Sequence, residues 1–173
     1  MNPVNYAPTD LVAVGNGQYL RTEAAVALQN VLAAANNAGL SLTPASGYRS
    51  YSTQVAVYGR EVAANGQAAA DRVSARPGFS EHQTGLAMDF GSAGCSITDC
   101  FGQTAAGQWL AANAAQYGFI MRYTGQNQAI TGYQGESWHF RYVGKALAQQ
   151  LQQKKIDSLE TFFGVSGGVS YIN

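Results

Sequence analysis

The chain has only two histidines among its 173 residues, and each lies a few residues from a carboxylate. His82 opens the run HQTGLAMD, which closes on Asp89, and His139 closes the run ESWH, which opens on Glu136. Two imidazoles, an aspartate and a glutamate are the residue types that a hydrolytic zinc site uses. Three protein ligands leave the fourth position for water, and a carboxylate that is not a ligand takes the water's proton. Taken singly, each has a plainer role. A histidine in a Gly-rich loop is ordinarily a surface or hydrogen-bonded side chain, an aspartate a turn or cap, a glutamate a solvated loop acid, and Trp138 core packing. Their conjunction points to a metal.

Spacing then constrains the backbone. Residues seven apart on an ideal strand face opposite sides, so His82 and Asp89 can share a site only if His82 sits in the loop before a strand or Gly85 allows a bulge. Gly85 and Ala87 share the parity of Asp89, which predicts a wall beside the aspartate nearly bare of side chains, where a metal or a substrate backbone can approach. Glu136 and His139 sit at another loop-to-strand junction.

The positioning elements follow from periodicity. Residues 1–20, with Pro3 and Pro8, read as an extended N-terminal arm. Thr22 is a candidate N-cap for a helix through Leu28, Val31, Leu32 and Ala35, stopped by Gly39. A strand over about 41–48 leads into GYRS, where Ser50 or Ser52 can cap a second helix through Val55, Tyr58 and Val62. Residues 67–81 read as loop, and Thr84 to Phe90 as a strand. A third helix runs from Thr104 to Gly118, GFIMRY and WHFRYV are strands, and Lys145 to Lys154 is a helix. Asp157 with Glu160 resembles a capping box for a last short helix, with residues 164–173 as a loose tail. Helices and antiparallel strands without regular alternation predict an α+β domain over 1–173, with a small central antiparallel sheet carrying the site between flanking helices.

Composition excludes some functions. Charged residues make up 12% of the chain and cancel to a formal charge of zero, about half the usual 25%. No basic stripe exists for nucleic acid, and no polybasic or amphipathic segment for a membrane surface. No run approaches the roughly 18 to 20 apolar residues of a membrane span, and the first residues lack signal-peptide character. Polarity comes from Gln, Asn, Ser, Thr and Gly with ten tyrosines, which suits hydrogen bonding to neutral polymers such as glycans and peptides. Cys95 and Cys100 enclose four residues in CSITDC. A pair so close reads as a loop-pinning disulfide of an exported protein, its export segment trimmed, with two reduced thiols as the alternative. Nothing signals association, so a monomer is expected.

Ser80, His82, Gly85, Ala87 and Asp89 reproduce S-x-H-x-x-G-x-A-x-D, and Glu136, Trp138 and His139 reproduce E-x-W-H. Together with GYRSYSTQ upstream, these signatures resemble the zinc D-Ala-D-Ala carboxypeptidases of the vancomycin-resistance type, within a wider group that includes lysostaphin-type peptidases and the hedgehog signalling domain. The similarity runs over roughly residues 6–163. It implies that His82, Asp89 and His139 bind Zn²⁺, that Glu136 is the catalytic base, and that Arg49 contacts the substrate carbonyl or the developing oxyanion. Ser80 and Gln54 match substrate-binding positions. Arg76, just upstream of the motif in ARPGFSEH, is a second candidate for a substrate carboxylate, with a surface role as the equal alternative.

The implied enzyme is extracellular or faces the cell envelope. It acts on peptidoglycan stem peptides as a D,D-carboxypeptidase that removes the terminal D-Ala. An L,D-carboxypeptidase of tetrapeptide stems, or an endopeptidase of the stem or cross-bridge, would use the same metal set. A wall-binding module that keeps zinc without catalysis is the non-enzymatic alternative, against which Glu136 beside Arg49 argues.

Overall fold

Alternation along residues 87–92 sorts one strand's side chains into two chemistries. Met88 and Phe90 face the core and are fully buried, while Ala87 and Asp89 face the other way. Residues 1–168 are described by the structure, a computed structural model. They form a hairpin of β1 (Leu11–Gly15) and β2 (Gln18–Arg21), helix α1 (Thr22–Asn37), strand β3 (Thr43–Ser46), and helices α2 (Tyr51–Asn65) and α3 (Gln67–Val73). Then come β4 (Ala87–Ser92), β5 (Cys95–Ser96), α4 (Ala105–Asn113), β6 (Phe119–Tyr123), α5 (Gln128–Thr131), β7 (Glu136–Tyr142), α6 (Lys145–Lys154) and α7 (Leu159–Phe163). Strands β3, β4, β7 and β6 lie side by side in that order, with β5 paired to β4, and all of these pairings are antiparallel. The class is α+β, as expected.

The apolar face of this sheet packs on α1. Phe90 meets Phe140 and Phe119 edge to face, with ring centroids 5.6 and 6.4 Å apart, an arrangement that adds to the burial of their area. Leu28 and Val31 of α1 close the cluster. Phe140 pairs with Met88 across β4 and β7, and His139 pairs with Asp89. The register that fills the core therefore also sets two of the expected metal ligands opposite each other on the reverse face.

Several local features depart from the sequence reading. The N-terminal arm contains the β1–β2 hairpin, whose turn places Gly15, Asn16 and Gly17 at positive φ; the G-N-G run was its signal. Residues 67–73 are helical because Gly66 only interrupts an Ala-rich segment that then resumes. Thr22 is the first helical residue rather than the cap, and its hydroxyl donates to the Asp10 carbonyl. Ser50 does cap α2, accepting from the Thr53 N–H. The cap of α7 is Ser158 and not Asp157: its hydroxyl accepts from the Thr161 N–H, leaving Glu160 for other work. The proposed tail is fastened where it is described, with the Gly168 N–H donating to the Thr131 carbonyl; residues 169–173 lie outside the described residues. Cys95 and Cys100 form the expected disulfide. Among the described residues no helix is long and apolar enough to cross a membrane.

Candidate metal centre and active site

A 3₁₀ turn over Glu81–Thr84 carries His82, and Gly85 ends it in the left-handed region at φ 67°. The chain then enters β4. This settles the parity question: His82 is in the approach to the strand, so it and Asp89 converge without a bulge. The clearance expected at Gly85 is real but lies elsewhere, because a Cβ there would meet Arg21 and Leu11 of the hairpin at 3.0 Å. In β7 a shift of register against β6 sets Glu136 opposite Tyr123. Strict alternation would put Glu136 on the face opposite His139; the irregularity brings its carboxylate to 3.9 Å from His139 Nδ1.

His82, Asp89 and His139 are all buried, and one donor atom from each lies within 4.8 Å of the others. His82 Nε2 is 3.3 Å from Asp89 Oδ2, and His139 Nδ1 is 2.9 Å from Asp89 Oδ1. The opposite nitrogens are anchored outward. His82 Nδ1 bonds the Gly47 carbonyl at 2.7 Å and His139 Nε2 bonds Glu81 Oε2 at 3.1 Å. With protons held only on those outer nitrogens, as a bound cation would require, Nε2 of His82 and Nδ1 of His139 would present lone pairs to one point. Tetrahedral ligands about 2.0 to 2.2 Å from zinc stand about 3.4 Å apart, and the two separations at Asp89, 3.3 and 2.9 Å, lie close to that spacing. Gly47 has no room for a side chain, since a Cβ would lie 2.5 Å from the Tyr19 carbonyl oxygen, and this close approach aims its carbonyl at His82.

The charges explain one another. Burial disfavours ionised Asp89, but the two histidines outweigh it and hold the carboxyl well below its usual range. Burial also works against charge on His139, yet hydrogen bonds to Asp89 and Glu81 raise its pKa to about 10. In the metal-free site the His139 imidazolium thus supplies the positive charge that the carboxylates require. Burial lowers the pKa of His82. Burial pushes the Glu136 carboxyl up to about 7, against the pull of His139 and Arg49.

Arg49 reaches the same cleft from the segment after β3. Its backbone N–H donates to the His82 carbonyl at 3.1 Å, and its guanidinium donates to Gln54 Oε1 at 2.9 Å and Ser46 Oγ at 3.0 Å. Gln54 is buried in α2, and its amide nitrogen is engaged with Ser74 Oγ and the Ala75 carbonyl. The side chain thus braces Arg49 from inside the protein. Ser80, also buried, lines the cleft with Glu136 and Trp138. Arg76 pairs with Asp71 through two nitrogens, at 3.0 and 2.8 Å, and is not among the residues lining the cleft. The cavity is about 850 Å³ and extends along α2 and α3.

Sequence reading missed three contributors. The Gly47 carbonyl is a backbone group with no residue-type signal. Tyr123 stacks on His139 at 5.1 Å between centroids, a contact visible only once β6 and β7 are paired. Glu81, next to His82 in sequence, reads as another surface acid until its oxygen is seen on His139.

Residues 17–145 match the VanY family, described as D-alanyl-D-alanine carboxypeptidase. The YodJ protein of Bacillus subtilis strain 168 is 43% identical over 172 residues, covering 93% of this chain and 63% of that protein. Among solved structures, the LdcB LD-carboxypeptidase is 42% identical with a TM-score of 0.86, over 95% of this chain and 82% of that one. A mutant of the D,D-pentapeptidase VanY from a VanB-type resistance cassette, solved with Zn(II), is 32% identical with a TM-score of 0.80, over 92% and 90%. The chain spans 32% to 63% of the length of the curated relatives it matches.

Proposed function

The chain belongs to the VanY family of D-alanyl-D-alanine carboxypeptidases, and from that premise we propose that it is a zinc metallopeptidase that releases the C-terminal D-Ala of peptidoglycan stem peptides. The observation that carries the reading is the meeting of His82, Asp89 and His139 with Glu136 and Arg49 in one cleft. His82, Asp89 and His139 would hold the zinc, and the chemistry it would supply is a water whose pKa falls from 15.7 to roughly 7 together with Lewis-acid polarisation of the scissile carbonyl. Glu136, half-buried and beside the three expected ligands, takes the proton of the attacking water and returns it to the departing amine. Arg49 offers its planar fork to the oxyanion or to the substrate's terminal carboxylate and stays charged at any working pH. Gln54 and Ser46 hold that fork in place, which limits the reorganisation needed during reaction.

D,D cleavage of pentapeptide stems is the first reading, since it is the reaction in the family's description. A second, L,D cleavage of tetrapeptide stems, is favoured by the greater likeness to LdcB, 42% identity against 32% for the D,D-pentapeptidase. The test incubates the zinc-loaded protein with purified pentapeptide and tetrapeptide muropeptides and follows D-Ala by mass spectrometry. Release from pentapeptides alone supports D,D specificity, and release from tetrapeptides alone moves the assignment to L,D. Cleavage inside the stem with no free D-Ala would end the carboxypeptidase reading. The disulfide fits an oxidising setting outside the cytoplasm or facing the envelope.

Arg49→Ala is expected to lower kcat/KM by roughly 10²- to 10³-fold, the usual cost of one lost oxyanion donor. Zinc content should stay at the wild-type level, because Arg49 is not a ligand. Wild-type kinetics in this variant would remove Arg49 from the machinery.

A further inference from the structure

Behind His139 runs a chain of charged side chains that the catalytic reading does not use. Glu81 accepts from His139 Nε2 with one oxygen, at 3.1 Å, and from Arg122 Nε with the other, at 2.8 Å. The two terminal nitrogens of Arg122 donate to the two oxygens of Glu160 on α7, at 3.2 and 2.8 Å. The side chains of Arg122, Glu81 and Glu160 are only 5%, 16% and 12% exposed. Such a shielded, two-pronged pair keeps its geometry where an exposed pair would exchange with water. The start of α7 is fixed independently. Asn127, fully buried, donates from one amide nitrogen to the carbonyls of both Arg122 and Asp157, at 3.0 and 2.7 Å.

We propose that Glu81 is a positioning residue for His139, clamped by Arg122 and Glu160, and that α7 is thereby a working part of the metal centre. The proposal rests on the zinc reading above. It reaches beyond the segment that matches the family, which ends at residue 145, whereas Glu160 lies on α7. The physical reason is specific to this ring. His139 presents Nδ1 to the ligand cluster, so its proton must stay on Nε2, and Glu81 is the group that holds it there. An anionic acceptor also makes the imidazole a stronger donor than a neutral one would. Arg122 stops Glu81 from turning away, and Glu160 stops Arg122 from doing so.

The test uses the full chain, freed of metal by dialysis against a chelator and then titrated with zinc in competition with a fluorescent chelator. Glu81→Gln is expected to weaken zinc binding roughly 10- to 100-fold, the usual loss on removing such an outer partner. Glu160→Gln, two side chains from the ring, should weaken it in the same direction by less, and Glu160→Asp should recover part of the loss. A purely structural ion pair predicts something different: lower melting temperatures for the metal-free variants, with zinc affinity unchanged. Wild-type affinity in Glu81→Gln overturns the role of Glu81, and wild-type affinity in Glu160→Gln overturns the participation of α7. If Glu81→Gln does not fold, the Glu160 pair decides the question. If the unmodified chain takes up no zinc, it is the metal reading that fails.

Discussion

Replacing Glu136 by glutamine is expected to lower kcat roughly 10²- to 10⁴-fold, with zinc content and KM near the wild-type values. Glutamine keeps the shape of the side chain and removes only its capacity to accept a proton. Glu136 Oε2 stands 3.9 Å from His139 Nδ1, so its carboxylate borders the ligand cluster. Its burial, which pushes the free carboxyl up to about 7, means that few solvent molecules compete for the proton it holds. The neighbouring acids are committed elsewhere: Asp89 to both histidines, and Glu81 to His139 and Arg122. No other carboxylate of the cluster is placed to take over. Steady-state rates of D-Ala release, with zinc content measured on the same samples, check this. A variant as fast as the wild type would show that the proton leaves by another route.

The legibility of this site in the sequence followed from where the chemistry is written. His82, Asp89, His139 and Glu136 are rare or distinctive residue types at fixed spacing, and Arg49 stands in a short motif. All five could be named from the chain, and all five converge on the cleft. Apolar alternation also placed β4 and β7 within a few residues of their true limits, because Met88, Phe90 and Phe140 must share one buried face. What escaped was carried by groups without a residue-type signature or by contacts between distant segments. The Gly47 carbonyl that orients His82 lies 35 residues away in sequence. Asp157 and Glu160 have capping-box spacing, but Ser158 takes the cap and leaves the glutamate to Arg122. Local pattern described the backbone there and missed the longer reach of the side chain.

Removing the metal should abolish D-Ala release while leaving the protein folded, and one equivalent of zinc should restore it. Loss of activity follows because the remaining groups supply a base and a cation but no activated water. Retention of fold follows from the metal-free geometry. His139 donates to Asp89 and Glu81, His82 is tied to Gly47 and Asp89, and none of these buried groups lacks a partner. The core beneath, built on Phe90, Phe119 and Phe140, does not depend on the ion. Zinc then adds stability by mass action, about 4 kcal/mol at a free concentration 1,000 times Kd, which thermal melts with and without the ion will register. Asp89→Asn separates the two roles. It should weaken zinc binding by more than roughly 100-fold, beyond the loss typical of outer partners. It also leaves His139 without the carboxylate that favours its charge, so the metal-free variant should melt below the metal-free wild type. If Asp89→Asn bound zinc as tightly as the wild type, Asp89 would not be a ligand, and the centre would have to be built from His82, His139 and a different acid.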